Sequence, residues 1–257
     1  MGNRTFIMDA KEKKKPIIHS AVHKFSNYLQ TIRRRYPQLD FDRKRLSCFD
    51  VNLSVIEKFN SCEHNLKNLE GYDDLEESIK QLIEEHSVHA THECIDLLGV
   101  YIAPTDNDKA NILLSKEKIA STAKEYSMDF ESLYNFIKIH EYAHACMCPI
   151  LDQKKTSKFK RDVAYVIIEE SLATAIALKK MKNLSEYQKI KQFVNNQPFQ
   201  YSYGLILLLK HENEIEDIMV RWKKEKSDGI FPTKLLLDSF FKDQPLDMST
   251  IRDMFIF

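Results

Sequence analysis

The segment DFESLYNFIKIHEYAHACMC, residues 129–148, carries the strongest structural pattern in the chain. Its apolar residues recur at helical spacing and Asp129 can cap its amino end, so it is predicted to form a partly buried helix. His140 and His144 are four positions apart and therefore share one face of that helix. A buried, unpaired pair of imidazoles is costly, whereas a zinc ion uses a lone pair of each. Together with Glu141, the pattern H-E-x-x-H predicts a metal site here.

A catalytic zinc site needs a third protein ligand, and the following sequence offers two carboxylates. The extended pattern H-E-x-x-H-x-x-G-x-x-H fails, because Met147 and Ile150 stand where it requires Gly and His. Glu169 and Glu170 lie in the apolar run VAYVIIEESLATAIAL, where a carboxylate is costly unless it is paired or bound to a metal. Glu170 continues an apolar stripe at i+3/i+4 spacing and is therefore preferred as the ligand. Glu169 remains the alternative.

The motif HEYAH at residues 140–144, followed by Glu170 in the segment E-S-L-A, resembles the gluzincin group of zinc metallopeptidases. The resemblance covers roughly residues 98–178. It implies a zincin-like core in which His140, His144 and Glu170 hold Zn²⁺. It also implies that Glu141, which is not a ligand, accepts a proton from a zinc-activated water as the general base.

The same resemblance assigns positions outside the ligand set. Some gluzincins place an aspartate four residues after the glutamate ligand to hold a histidine, and Thr174 occupies that position here. A Tyr or His later in the chain often stabilises the oxyanion of the reaction. Tyr201 and Tyr203 are the best placed by their order in the chain, with His211 next. The predicted catalytic residues are therefore Glu141, Tyr201 and Tyr203.

The residues before the motif helix predict a small sheet. LGVYIAP and NILLS, residues 98–104 and 111–115, are short apolar runs separated by a polar turn, which is typical of a β-hairpin or of two adjacent strands. Ser115 can then cap the next helix. With 5 Gly and 7 Pro in 257 residues and periodic apolar patterns in most segments, helix should dominate the rest. The expected fold class is mostly α with a small β-sheet (α+β).

Three regions are expected along the chain. They are a helical N-terminal region with a basic segment, residues 1–95, a zincin-like core, residues 96–182, and a helical C-terminal region, residues 183–257. No stretch approaches the apolar length of a membrane span and the N-terminus lacks a signal-peptide core, so a cytoplasmic protein without membrane contact is expected. The 5 cysteines lack a framework spacing, which favours reduced thiols.

Charge is unevenly distributed, although the net charge is +0. Residues 1–45 contain 12 Lys/Arg and 4 Asp/Glu, a balance of +8. This segment is either a solvated helix face, an element that docks on the acidic remainder, or a surface for nucleic acid or an acidic partner. A separate cluster comprises His86, His89, His92 and Cys94. It is either a second metal site or an ordinary polar face of a helix.

The predicted function is therefore that of a zinc metallopeptidase acting on a protein or peptide substrate. The alternative is a catalytically degenerate zincin that serves as a protein-binding or regulatory module. A nucleic-acid role for the basic N-terminal region would belong to that alternative, although nothing in the sequence identifies a nucleic-acid-binding fold. No feature of the sequence indicates an oligomeric state.

Overall fold

The computed structural model describes residues 34–39, 46–59, 98–104, 109–148 and 163–228, with isolated positions between 72 and 95. The chain divides into two compact units, residues 1–40 and 41–257. Within the first unit, Pro37–Leu39 form a 3-10 helix. The predicted region limits near residues 95 and 182 stay predictions. The basic run at 11–15 and the histidine and cysteine cluster at 86–94 lie outside the described residues.

Helices dominate the described part of the second unit, which confirms the predicted α+β class. The helices are α1 (Leu53–Phe59), α2 (Lys116–Glu125), α3 (Phe130–Met147), α4 (Val163–Met181), α5 (Tyr187–Asn195), α6 (Phe199–His211) and α7 (Ile215–Asp228). The strands are β1 (Leu46–Asp50), β2 (Gly99–Ile102) and β3 (Ala110–Leu114).

The three strands form a mixed sheet in the order β1-β3-β2. Strands β2 and β3 pair antiparallel, with Tyr101 opposite Ile112, so the predicted hairpin is confirmed. Strand β1 pairs parallel with β3, with Cys48 opposite Ile112, and was not expected from the sequence. Parallel strands need a long crossover connection, so no local turn signal marks β1 as part of the sheet.

Helices α2 and α3 begin where the sequence predicts. Ser115 Oγ accepts a hydrogen bond from the Lys118 amide at 3.4 Å at the start of α2. Asp129 Oδ2 accepts one from the Ser132 amide at 3.0 Å at the start of α3. These caps satisfy amides that a helix leaves without an internal partner. The cap at Asp129 thereby fixes where α3, which carries the motif, begins.

Helix α3 lies in the core, where it contacts β2, β3 and α4. Helix α4 in turn packs against α6 and α7. Helix α4 is apolar on nearly every side and is accordingly buried along most of its length. The motif histidines on α3 and the acidic pair on α4 therefore meet in the interior. None of the described helices is both long and apolar enough to cross a membrane.

Candidate metal centre

Helices α3 and α4 bring three ligand atoms together. Nε2 of His140 lies 3.1 Å from Nε2 of His144 and 3.1 Å from Oε2 of Glu170. His144 Nε2 and Glu170 Oε2 are 3.2 Å apart. Donor atoms around a tetrahedral zinc ion with bonds of about 2.0–2.1 Å are separated by about 3.3 Å. The three predicted ligands therefore form a group that could hold a metal ion, and the spacing of their atoms fits zinc.

The ligand group lies in the protein interior. His140 and His144 are 1% and 7% exposed, and Glu170 is only partly accessible. Glu170 faces this group because it continues the apolar stripe of α4, as the sequence predicted. Glu169 differs from it by one residue, or about 100° around the helix, and faces elsewhere.

The charges of the neighbouring side chains shift the pKa values of His144 and Glu170. Burial opposes the charged form of His144, but the carboxylates of Glu170 and Glu169 outweigh burial and raise its pKa well above the ordinary value. Burial also opposes the charged form of Glu170. Here the positive charge of His144 and hydrogen bonds from both imidazoles outweigh it, so the pKa of Glu170 is lowered. The surroundings thus favour the anionic form of Glu170, which is the form that binds a cation.

Behind His140 stands a hydroxyl group. Thr174 Oγ1 lies 3.3 Å from Nδ1 of His140, at the position where the gluzincin resemblance expects a supporting residue. With a metal ion on Nε2, Nδ1 would be the nitrogen that carries the proton and could donate it to Thr174. Helix α6 presses on this threonine, because a Cβ atom at Gly204 would lie only 2.7 Å from the Thr174 Cβ. Only glycine fits this approach without a shift of one helix.

Behind His144 stands the other glutamate. Glu169 Oε1 lies 3.5 Å from Nδ1 of His144, on the side of the ring away from the ligand group. Lys226 Nζ contacts both oxygens of Glu169, at 2.8 and 3.1 Å, and Trp222 Nε1 donates to one of them at 3.3 Å. The pKa of Glu169 is about 2, because the positive charge of Lys226 and the contact with His144 outweigh the effect of burial.

Sequence reasoning did not find Lys226 or Trp222 as part of the site. A signal exists, because Ile215, Met219, Trp222 and Lys226 follow one another at helical spacing and all are buried. A lysine that continues an apolar stripe needs an acidic partner in the interior. Glu170 was found by the same argument. Helix α7 contains several lysines, so the one that belongs to its apolar stripe does not stand out in the sequence alone.

Glu141, the predicted general base, is 3% exposed and adjoins His140 in sequence. Its Oε1 atom would lie 3.1 Å from a Cβ atom at Gly99, and Cγ2 of Ile137 would lie 2.9 Å from the same position. Glycine at the start of β2 therefore allows the strand to approach the motif helix closely. The carboxylate of Glu141 therefore lies beside the start of β2.

The two predicted tyrosines differ in their relation to the ligand group. The ring of Tyr201 is 6.0 Å from the ring of His140, centroid to centroid. Tyr203 is two residues further along α6, about 200° around the helix, and its ring packs against Phe199 at 5.3 Å. Burial raises the pKa of Tyr203. His211 lies at the end of α6, where it pairs with Glu214 at 3.2 Å.

The cysteines near the motif form no disulfide in the part of the chain that the structure describes. Cys146 is buried and Cys148 half-buried, and Cys48 on β1 is likewise outside any disulfide. The three-ligand group comprises two histidines and a glutamate and includes neither Cys146 nor Cys148.

No family model, curated protein or solved structure matches this chain. The gluzincin resemblance therefore rests on the motif residues, their spacing and the geometry of the ligand group.

Proposed function

We propose that this protein is a zinc-dependent metallopeptidase of the gluzincin type, with a zincin-like core formed by β2, β3, α3 and α4. The observation that carries the proposal is the buried triangle of donor atoms from His140, His144 and Glu170, 3.1–3.2 Å on each side. A zinc ion held there supplies Lewis acidity toward a carbonyl group and lowers the pKa of water.

Glu141 is the proposed general base. It lies outside the ligand group, yet it neighbours His140 in sequence and is about 60° from His144 around α3. Its negative charge also contributes to the raised pKa of His144, after the larger effects of Glu170 and Glu169. In the proposed reaction, Glu141 accepts a proton from the attacking water and passes it to the leaving amine.

Strand β2 supports a peptide as the substrate. In the described part of the sheet its single neighbour is β3, and it begins at Gly99 in contact with the Glu141 carboxylate. An extended peptide that pairs with β2 through main-chain hydrogen bonds would pass beside that carboxylate. This geometry favours hydrolysis of an extended peptide segment over that of a small molecule.

Tyr201 is the better of the two predicted oxyanion donors. Its ring lies 6.0 Å from that of His140, whereas Tyr203 is on another face of α6 and packs on Phe199. A phenol donor that stabilises the developing negative charge has to be within reach of the reacting carbonyl. Tyr201→Phe should therefore lower kcat more than Tyr203→Phe does.

The test separates metal binding from hydrolysis. Purified wild type, Glu141→Gln and Glu170→Gln are compared for zinc content by mass spectrometry and for cleavage of a proteome-derived peptide library. Wild type should hold one zinc ion and cleave peptides. Glu141→Gln should keep the zinc and lose roughly 10²–10⁴-fold in cleavage rate. Glu170→Gln should lose the zinc.

Glu131→Gln, in the first turn of the same helix, is the control and should behave like wild type. An identical cleavage profile for wild type and Glu141→Gln would remove the peptidase proposal. Tightly held zinc without cleavage of any peptide would instead support the degenerate binding module.

A further inference from the structure

A buried lysine stands behind the metal centre. Lys226, on α7, is 7% exposed, and its Nζ lies 2.8 and 3.1 Å from the two oxygens of Glu169. Its ammonium group is 4.9 Å from the centroid of the Tyr165 ring and 5.9 Å from that of Trp222. Taking a lysine and a glutamate out of water is costly, and simple helix docking is achieved as well by apolar residues. The ion pair therefore calls for a reason beyond stability.

The geometry around Glu169 supplies that reason. Oε1 of the carboxylate faces Nδ1 of His144 at 3.5 Å, while Lys226 contacts both carboxylate oxygens and Trp222 donates to Oε2. A carboxylate that accepts the Nδ1 proton of a histidine fixes both the tautomer and the orientation of the ring. The Nε2 atom of His144 is then directed at the other two donors of the ligand group.

We propose that Glu169 and Lys226 are positioning residues of the metal centre. Glu169 orients His144, and Lys226 holds Glu169 in place, so that α7 becomes part of the site although it contributes no ligand. This inference rests on the proposed metal centre. It adds that zinc affinity depends on an ion pair between α4 and α7.

The competing explanation is that Lys226 only docks α7 on α4. A second ion pair between the same two helices provides a matched control. Lys179 Nζ lies 2.7 Å from Oε2 of Glu216 and also donates to the main-chain oxygen of Glu212 at 2.6 Å. Lys179 is nine residues after Glu170, which is about 13 Å along the helix axis. Its loss should weaken the α4–α7 contact without reaching the ligands.

The experiment measures zinc affinity by competition with a chromophoric chelator, and the visible spectrum of the cobalt-loaded protein. Lys226→Met and Glu169→Gln should each weaken zinc binding roughly 10–100-fold and change the cobalt spectrum. Lys226→Arg should restore most of the affinity, because a guanidinium group can hold the same carboxylate. Lys179→Met should leave both the affinity and the spectrum unchanged.

Lys226→Met leaves Glu169 as a buried charge without its lysine, so this variant can fail to fold. The double variant Glu169→Gln/Lys226→Met removes both charges and should fold while still binding zinc more weakly than wild type. Wild-type affinity in that double variant, or an equal loss in Lys179→Met and Lys226→Met, would overturn the positioning role. In contrast, a wild type that binds no zinc, or a Glu170→Gln variant that binds it as tightly, would refute the metal centre itself.

Discussion

The two motif histidines are one helical turn apart, but they are supported by different chemistry. Behind His140, the neutral hydroxyl of Thr174 is pressed into place by α6 through the contact at Gly204. Behind His144, the Glu169 carboxylate is held by the charge of Lys226 on α7. The first support depends on the close fit of two helices and the second on the pairing of two buried charges. The two contacts should therefore respond to different perturbations.

The largest effect is expected from a larger side chain at Gly204, where α6 contacts Thr174. Gly204→Val places carbon atoms where the Thr174 side chain and the Ser171 main-chain oxygen already lie, at 2.7–2.9 Å from the Cβ position. Overpacking of this kind costs about 3 kcal/mol of unfolding free energy, which urea denaturation measures. Leu209→Val, at an exposed position of the same helix, controls for the helix propensity of valine. Equal unfolding free energies for the two variants would show that α4 and α6 accommodate the larger side chain without cost.

Removal of the metal should separate the two contacts. At a zinc concentration 100 times Kd, bound zinc adds roughly 2.7 kcal/mol to the unfolding free energy, and a chelator removes this. Without the ion, the ligand group loses the positive charge toward which the Glu169–Lys226 pair orients His144, whereas the contact of α6 with Thr174 involves no charge. Hydrogen exchange should then accelerate more in α7 than in α6. Equal acceleration in both helices would remove the distinction between them.

The hydroxyl group of Thr174 can be removed while the shape of the side chain is kept. Thr174→Val removes the hydroxyl and keeps the methyl group that packs on Gly204, so zinc affinity should fall about tenfold. This loss should be smaller than that of Lys226→Met, because a neutral hydrogen bond is weaker than one to a charged group. Thr122→Val, at a buried position of α2, serves as the control. A larger loss for Thr174→Val than for Lys226→Met would reverse the ranking of the two supports.

The smallest effect is expected at an exposed ion pair just after the end of α4. Lys182 lies 2.8 Å from Glu212, with the side chains 50% and 39% exposed. Because water screens such a pair, Lys182→Ala should change the unfolding free energy by less than about 0.5 kcal/mol and leave zinc affinity unchanged. A loss comparable to that of Lys226→Met would mean that burial does not distinguish these two ion pairs.

The sequence predicted features whose signals are local. The spacing of His140 and His144, the apolar stripe that contains Glu170 and the caps at Ser115 and Asp129 each lie within a few residues of chain. All of them are present in the structure. They depend on the helical period and on hydrogen bonds within one turn, which the residue order fixes directly.

Features that depend on distant parts of the chain were missed. Strand β1 pairs with β3, and Lys226 meets Glu169, which lies 57 positions earlier. No local pattern specifies which acid will face a given lysine, because that choice is made when helices pack. Thr174 is an intermediate case, since its position was known from the resemblance but its contact with His140 needed the structure.

The two neighbouring glutamates on α4 have different roles only because their side chains point in different directions around the helix. Glu170 and Glu169 are chemically identical, yet one faces the donor atoms and the other the back of His144. Their evolutionary constraints should accordingly differ. Among descendants of a common ancestral gene, position 170 should retain a metal-binding residue, whereas positions 169 and 226 should vary together as a correlated pair.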